Sequence, residues 1–145
     1  MTISLSIHSI TAQVLAQVAL RSHLKDYYPP MLEQEHSESL PALARSAYSC
    51  VCIEISSWLM DCNADEMDGD LLQLDFHDDI NINPIALRLL IEHAISSRLL
   101  SEIYTGTDND AAERFESDFC ATLQRLRSCL KPKYNPGDRI LPYPI

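Results

Sequence analysis

"NPIALRLLIEHAISSRLLSEIYTG", residues 83–106, decides how the rest of the chain is read. Asn83 has the side chain of a helix N-cap, and Pro84 sits in the first turn, where a missing N–H does no harm. Leu87, Leu90, Ile91, Ala94, Ile95, Leu99 and Ile103 then recur at three and four residues, one buried face of a long helix. Ile103 and Tyr104 close the last turn, and Gly106 supplies the left-handed residue beyond it. Thr107 or Asp108 caps a following helix with Asp108, Asp110 and Glu113 near its positive end. Its buried positions are Phe115, Phe119, Leu123, Leu126 and Leu130. Two long helices joined by so short a turn form an antiparallel hairpin.

Working back from the hairpin, "SESLPALARSAYSCVCIEISSWLMDC" (residues 37–62) offers Ser39 or Leu40 at a cap and Pro41 in the first turn. Tyr48, Cys52, Ile55, Leu59 and Cys62 make one stripe, with Ala44, Ala47, Val51 and Trp58 beside it, which predicts a core helix through this whole run. An earlier helix is predicted from about Ser9, on Ile10, Val14, Leu15, Val18 and Ala19, ending near "DYYPP", where two prolines forbid continuation. The opening "TISLSI" alternates Ile3, Leu5 and Ile7 with small polar residues, a period of two that suits a short strand or an extended arm over residues 1–8.

Composition agrees with a helical chain. The 145 residues hold 46% apolar and 22% charged side chains, with three glycines and 7% aromatics, which argues against a β-barrel or a collagen-like chain. The expected fold class is all-α: a small helical bundle (1–130) with a long helical hairpin, an acidic loop, and an extended C-terminal arm (131–145). Four prolines in "KPKYNPGDRILPYPI" exclude a helix there, and Pro136-Gly137 suits the centre of a type II turn. At about 3.1 Å per residue the arm could reach roughly 45 Å. No apolar run approaches the ~18 residues of a membrane span, and no basic-then-apolar leader opens the chain, so a cytosolic origin and no membrane partner are expected.

The net charge of −10 speaks against nucleic acid as the main partner, since phosphate neutralisation needs a basic face. The charge is also uneven. Residues 61–79 hold eight acids and no Lys or Arg, whereas residues 121–145 hold Arg125, Arg127, Lys131, Lys133 and Arg139 against Asp138 alone.

"DCNADEMDGD" (61–70) resembles the start of a calcium loop, with Asp61, Asn63 and Asp65 at positions 1, 3 and 5. Glu66 stands where the turn glycine belongs, and Leu72 where the bidentate glutamate belongs, so a solvated acidic loop is the reading and no metal is expected. Cys50 and Cys52 point to different sides of a helix, and no CxxC or HExxH pairing exists for zinc. Four of the five cysteines (Cys50, Cys52, Cys62, Cys120, Cys129) fall in helical apolar patterns, where a reduced thiol acts as a small buried hydrophobe. His93, beside Glu92, reads as a helix-surface residue, and His77-Asp78-Asp79 as part of the acidic loop. With no GxSxG and no phosphate-binding loop, neither an enzyme nor a cofactor is expected.

The two charged regions remain as candidate binding elements. The tail residues Lys133, Tyr134, Arg139, Ile140, Leu141, Tyr143 and Ile145 suit docking on another surface, because an apolar, proline-rich segment has little to fold on in its own chain. Asp65, Glu66, Asp68, Asp70, Asp78 and Asp79 suit a contact between subunits or a charged lumen.

A core helix ending in "SSWL", an acidic spacer, then "NPIALRLLIEHAISSRLLSEIYTG…AAERFESDFCATLQRLRSCL" resembles the element order of the head-to-tail connector (adaptor, neck) proteins of tailed bacteriophages, over roughly residues 40–145. The resemblance implies a homo-oligomeric ring, commonly of twelve copies. It would be made in a bacterial cytoplasm and seated in the virion neck beneath the portal protein. Its C-terminal arm would dock on the portal or a neighbour, and the ring would receive the next neck or tail protein. DNA would pass through without specific binding. The first forty residues, with "DYYPP", depart from the pattern, and five cysteines are many for such a protein. Two other readings fit size and charge: a small acidic cytosolic chaperone, which usually carries more strand, and an acidic regulator or inhibitor using residues 61–79 as a nucleic-acid mimic.

Overall fold

A computed structural model describes residues 1–25, 39–62 and 70–131. In chain order the elements are β1 (Thr2–Ser6), α1 (Ile7–Lys25), α2 (Leu40–Glu54), β2 (Leu59–Cys62), β3 (Leu71–Phe76), α3 (Pro84–Tyr104) and α4 (Asn109–Leu130), with a short 3₁₀ turn at Ser56–Trp58. The molecule is mostly helical, but it is not all-α. A three-stranded antiparallel sheet in the order β1-β3-β2 forms part of the core.

The period-two reading of the opening residues holds, and its partner is β3. Ile3 lies opposite Leu74 and Leu5 opposite Leu72, and all four side chains are buried. The partner strand "LLQLDF" alternates in the same way, with Leu72, Leu74 and Phe76 inside and Leu71 and Gln73 exposed. Counting acids across 61–79 as one loop obscured that alternation. Two of its segments are strands: β2 runs beside β3, with a shift of register between Leu59 and Asp61.

The predicted second helix also stops early. Tyr48, Val51 and Cys52 face the core from α2 as expected, and Ile55 is buried in the turn after it. Leu59 and Cys62 continue the spacing by coincidence, for they belong to β2, where pairing with β3 satisfies backbone groups that a longer helix would have satisfied internally. Tyr48 links the two layers, its hydroxyl donating to the Gln73 carbonyl at 3.1 Å.

The hairpin stands where the sequence places it. Asn83 Oδ1 accepts the N–H groups of Ile85 (2.8 Å) and Ala86 (3.5 Å), and Gly106 has φ +87°. Asp108 Oδ1 caps α4 by accepting the Ala111 N–H at 3.2 Å. Buried small residues on α3, namely Ala94, Ser96, Ser97 and Ser101, leave room for close helix approach. Tyr104 stacks on Phe115 with centroids 5.8 Å apart, and Arg21 of α1 lies over Tyr104 while pairing with Asp108 at 3.0 Å. One buried cluster runs from Ile3 to Leu130, so the described residues share a single core.

Leu74 is fully buried on the central strand. Leu74→Ala is expected to lower unfolding free energy by about 2–5 kcal/mol, as buried leucine truncations do. Urea denaturation followed by far-UV circular dichroism measures this. A loss below about 1 kcal/mol would mean that β3 is not central to the core.

Candidate interaction surfaces

The predicted acidic group divides. Asp65, Glu66 and Asp68 lie outside the described residues, as do the tail residues Lys133, Tyr134, Arg139, Ile140, Leu141, Tyr143 and Ile145. Asp78 and Asp79 are exposed in the turn after β3, where the Met1 ammonium approaches Asp78 at 3.6 Å. His77 is exposed beside them, and His93 is exposed on α3, as expected.

Asp70 has a local task. Its Oδ2 accepts the Ser6 hydroxyl at 2.7 Å, its Oδ1 accepts the His8 N–H at 2.7 Å, and its carbonyl accepts the Ile7 N–H at 2.9 Å. Ser6 Oγ in turn accepts the Ser9 N–H at 3.2 Å. The carboxylate that opens β3 therefore caps α1 from the neighbouring strand, two N–H groups of the first turn being satisfied by one linked pair of side chains. The Ser6 hydroxyl bond, then the His8 amide bond, hold its pKa below the ordinary carboxylate value.

The cysteines do not share one environment. Cys52 is buried and Cys50 half-buried, but Cys120 and Cys129 are exposed on α4, so the buried-hydrophobe reading fails for those two. Their helical spacing put them near the apolar face of α4 without placing them on it. Among the described residues there is no group of three or more metal-capable side chains, and no helix is long and apolar enough to cross a membrane.

A surface that sequence reasoning missed lies at the start of α3. Over its first two turns only Leu87 is buried, whereas Ile85 is 61% and Leu89 56% exposed. These residues are one helical turn apart and off the Leu87–Ile91–Ala94 stripe. The available signal was that this end of the helix is apolar on two faces, more than one core requires. Beside it runs β1. A groove of about 230 Å³ is lined by Thr2, Ile3 and Ser4 of the strand and by Pro84, Ile85 and Arg88 of the helix. Because β3 is the middle strand, β1 is an edge, and no described strand pairs with its outer side.

Comparison of the chain with protein-family models, with curated proteins and with solved structures finds no match.

Because folding lowers the Asp70 pKa, the stability it contributes is present above the ordinary Asp value of about 3.9 and is lost as pH falls through the lower folded-state value. Asp70→Ala should lower the melting temperature at pH 7, and its gap from the parent chain should narrow steadily below about pH 4. Thermal scans from pH 7 to pH 2.5 test this. A gap constant with pH would show that the carboxylate charge has no part in the cap.

Proposed function

We propose that this chain is a structural virion protein, an adaptor ring that joins the portal of a bacteriophage capsid to the neck or tail and forms part of the DNA channel. The observation that carries the reading is the apolar start of α3, exposed among the described residues, beside an edge of β1 that no described strand pairs with, a surface suited to burial against another subunit. Element order from "SSWL" through the helical hairpin supports it as well. The charge layout suits a head-to-tail ring, in which a surface patch meets a different patch on the next copy: Asp78 and Asp79 are exposed, and Lys133 and Arg139 lie in the tail. An excess of negative charge also lets DNA slide without sticking.

In this reading the portal and the next neck or tail protein are the partners, and the tail residues are the docking element. The chain is neither an enzyme nor a cofactor carrier. One observation favours a second reading: the three-stranded antiparallel sheet supplies the strand content that a small acidic chaperone usually has. The two readings part on the size of the native assembly. Native mass spectrometry and electron microscopy of material from the protein's own source should find a closed ring or a neck particle. A free dimer absent from any large particle would favour the chaperone.

Among the described residues every member of the buried cluster lies at or before Leu130, so after truncation there the helical core should keep its circular dichroism and cooperative melt, yet incorporation into particles should be lost. Normal incorporation of the truncated chain would sink the docking role of the tail. If acidic and basic patches join neighbours, isolated rings should loosen between about 0.1 and 1 M salt, as the Debye length falls from ~10 to ~3 Å. Rings indifferent to salt in analytical ultracentrifugation would point to apolar contacts in place of ionic ones.

A further inference from the structure

Residues Met1, Ile3, Leu5 and Ile7 face their main-chain groups toward β3. Phe76 donates to the Met1 carbonyl at 2.8 Å and Ile7 to the Asp70 carbonyl at 2.9 Å, which fixes the parity of the ladder between them. The N–H and C=O groups of Thr2 and Ser4 therefore point to the outer side, along the groove. An edge of this kind is a template for another strand, and natural proteins rarely leave one flat and uncovered beside apolar side chains.

The tail has a complementary parity. In an extended strand alternate residues present their N–H and C=O groups to the same side. Leu141, Tyr143 and Ile145 share one side, and Pro142 and Pro144, which have no N–H, share the other. A strand built this way has one edge able to pair and one edge that cannot, the arrangement proline permits at the margin of a sheet.

We propose that residues 140–145 of a second copy of this chain add to β1 as a fourth, outermost strand, with Leu141, Tyr143 and Ile145 bonding to the Thr2–Ser6 edge. This deepens the ring reading by naming a contact between copies, and it rests on that reading for choosing a second copy over the same chain. The added strand runs antiparallel to β1, so Tyr143 falls opposite Ser4, Leu141 opposite Ser6 and Ile145 opposite Thr2. Ile140, Pro142 and Pro144 then lie on the face that carries Ile3 and Leu5, toward Ile85 at the mouth of the groove. Charge agrees with that direction, which brings Arg139 toward Asp70 at the Ser6 end of β1. Main-chain bonds would supply affinity and the apolar contacts specificity. The two prolines would end the sheet there, so the contact links copies without propagating a ladder of strands.

The test uses the full-length chain at a concentration where it assembles, with amide hydrogen exchange read at Thr2 and Ser4. Both amides should exchange at least about 100-fold more slowly than in Tyr143→Pro, which removes the central N–H from the pairing edge, and that variant should sediment as smaller species. Pro142→Ala/Pro144→Ala leaves the pairing edge intact and should retain protection. Equal exchange in the parent chain and in Tyr143→Pro would overturn the proposal. The choice of copy is read by mixing Ser4→Cys chains with Tyr143→Cys chains under mild oxidation. Peptide mapping of a disulfide joining positions 4 and 143 supports addition between copies, and its absence from the mixture overturns it. Rings that persist with unprotected Thr2 and Ser4 would refute the strand contact and leave the adaptor reading standing. Protected amides in open chains or dimers, with no ring in native mass spectra, would do the reverse.

Discussion

The pairing of β1 with β3 is the constraint on which the rest of the structure depends. It joins residues about seventy positions apart, from Thr2 opposite Asp75 to Ser6 opposite Leu71. Closing a loop of that length costs roughly 4 kcal/mol of chain entropy, by the logarithmic rule. Against this stand Ile3, Leu5, Ile7, Leu72, Leu74 and Phe76, all buried, at about 1.5–3 kcal/mol each. This burial offsets closure and part of the ordering entropy of the two strands. Once the strands meet, Asp70 is delivered to the first turn of α1, so the same event that closes the sheet caps the first helix. The helices then have a floor to pack on, and Tyr48 bonds α2 to it.

How far the sequence was legible depended on whether a signal was local. The hairpin carried its own punctuation in Asn83, Pro84, Gly106 and Asp108, each acting within three residues, and the structure uses all four at the positions expected. The sheet has no such marks. β2 is four residues long and continues a helical spacing from α2, and only its pairing with β3 shows that it is a strand. β3 did alternate, but Asp75 within it and the acids around it drew the segment into a single charged loop. Periodicity reports burial on one face, and it fails where an element's identity is decided by a partner far away in the chain.

Charge was legible as a total and not as a set of roles. Asp70 and Asp108 are both helix caps, the first across a strand and the second beside Arg21. Asp78 and Asp79 stay exposed. A run of acids therefore mixes residues satisfied inside the fold with residues available outside it. Hydrogen-bond geometry, which composition does not carry, separates them.

The same distinction applies to apolar residues and explains why the start of α3 stands out. Most exposed leucines and isoleucines need no explanation singly. Ile85 and Leu89 differ because they repeat one helical turn apart, beside a strand edge whose outward main-chain groups meet no described partner strand. A covering element there must offer hydrogen bonds on one side and apolar atoms on the face turned toward the helix. A helix from another protein would cover Ile85 and Leu89 and leave Thr2 and Ser4 unbonded. An ordinary strand would satisfy both and expose a fresh edge of its own. A segment with prolines at every second position satisfies the edge without renewing it, and residues 140–145 of this chain have that spacing.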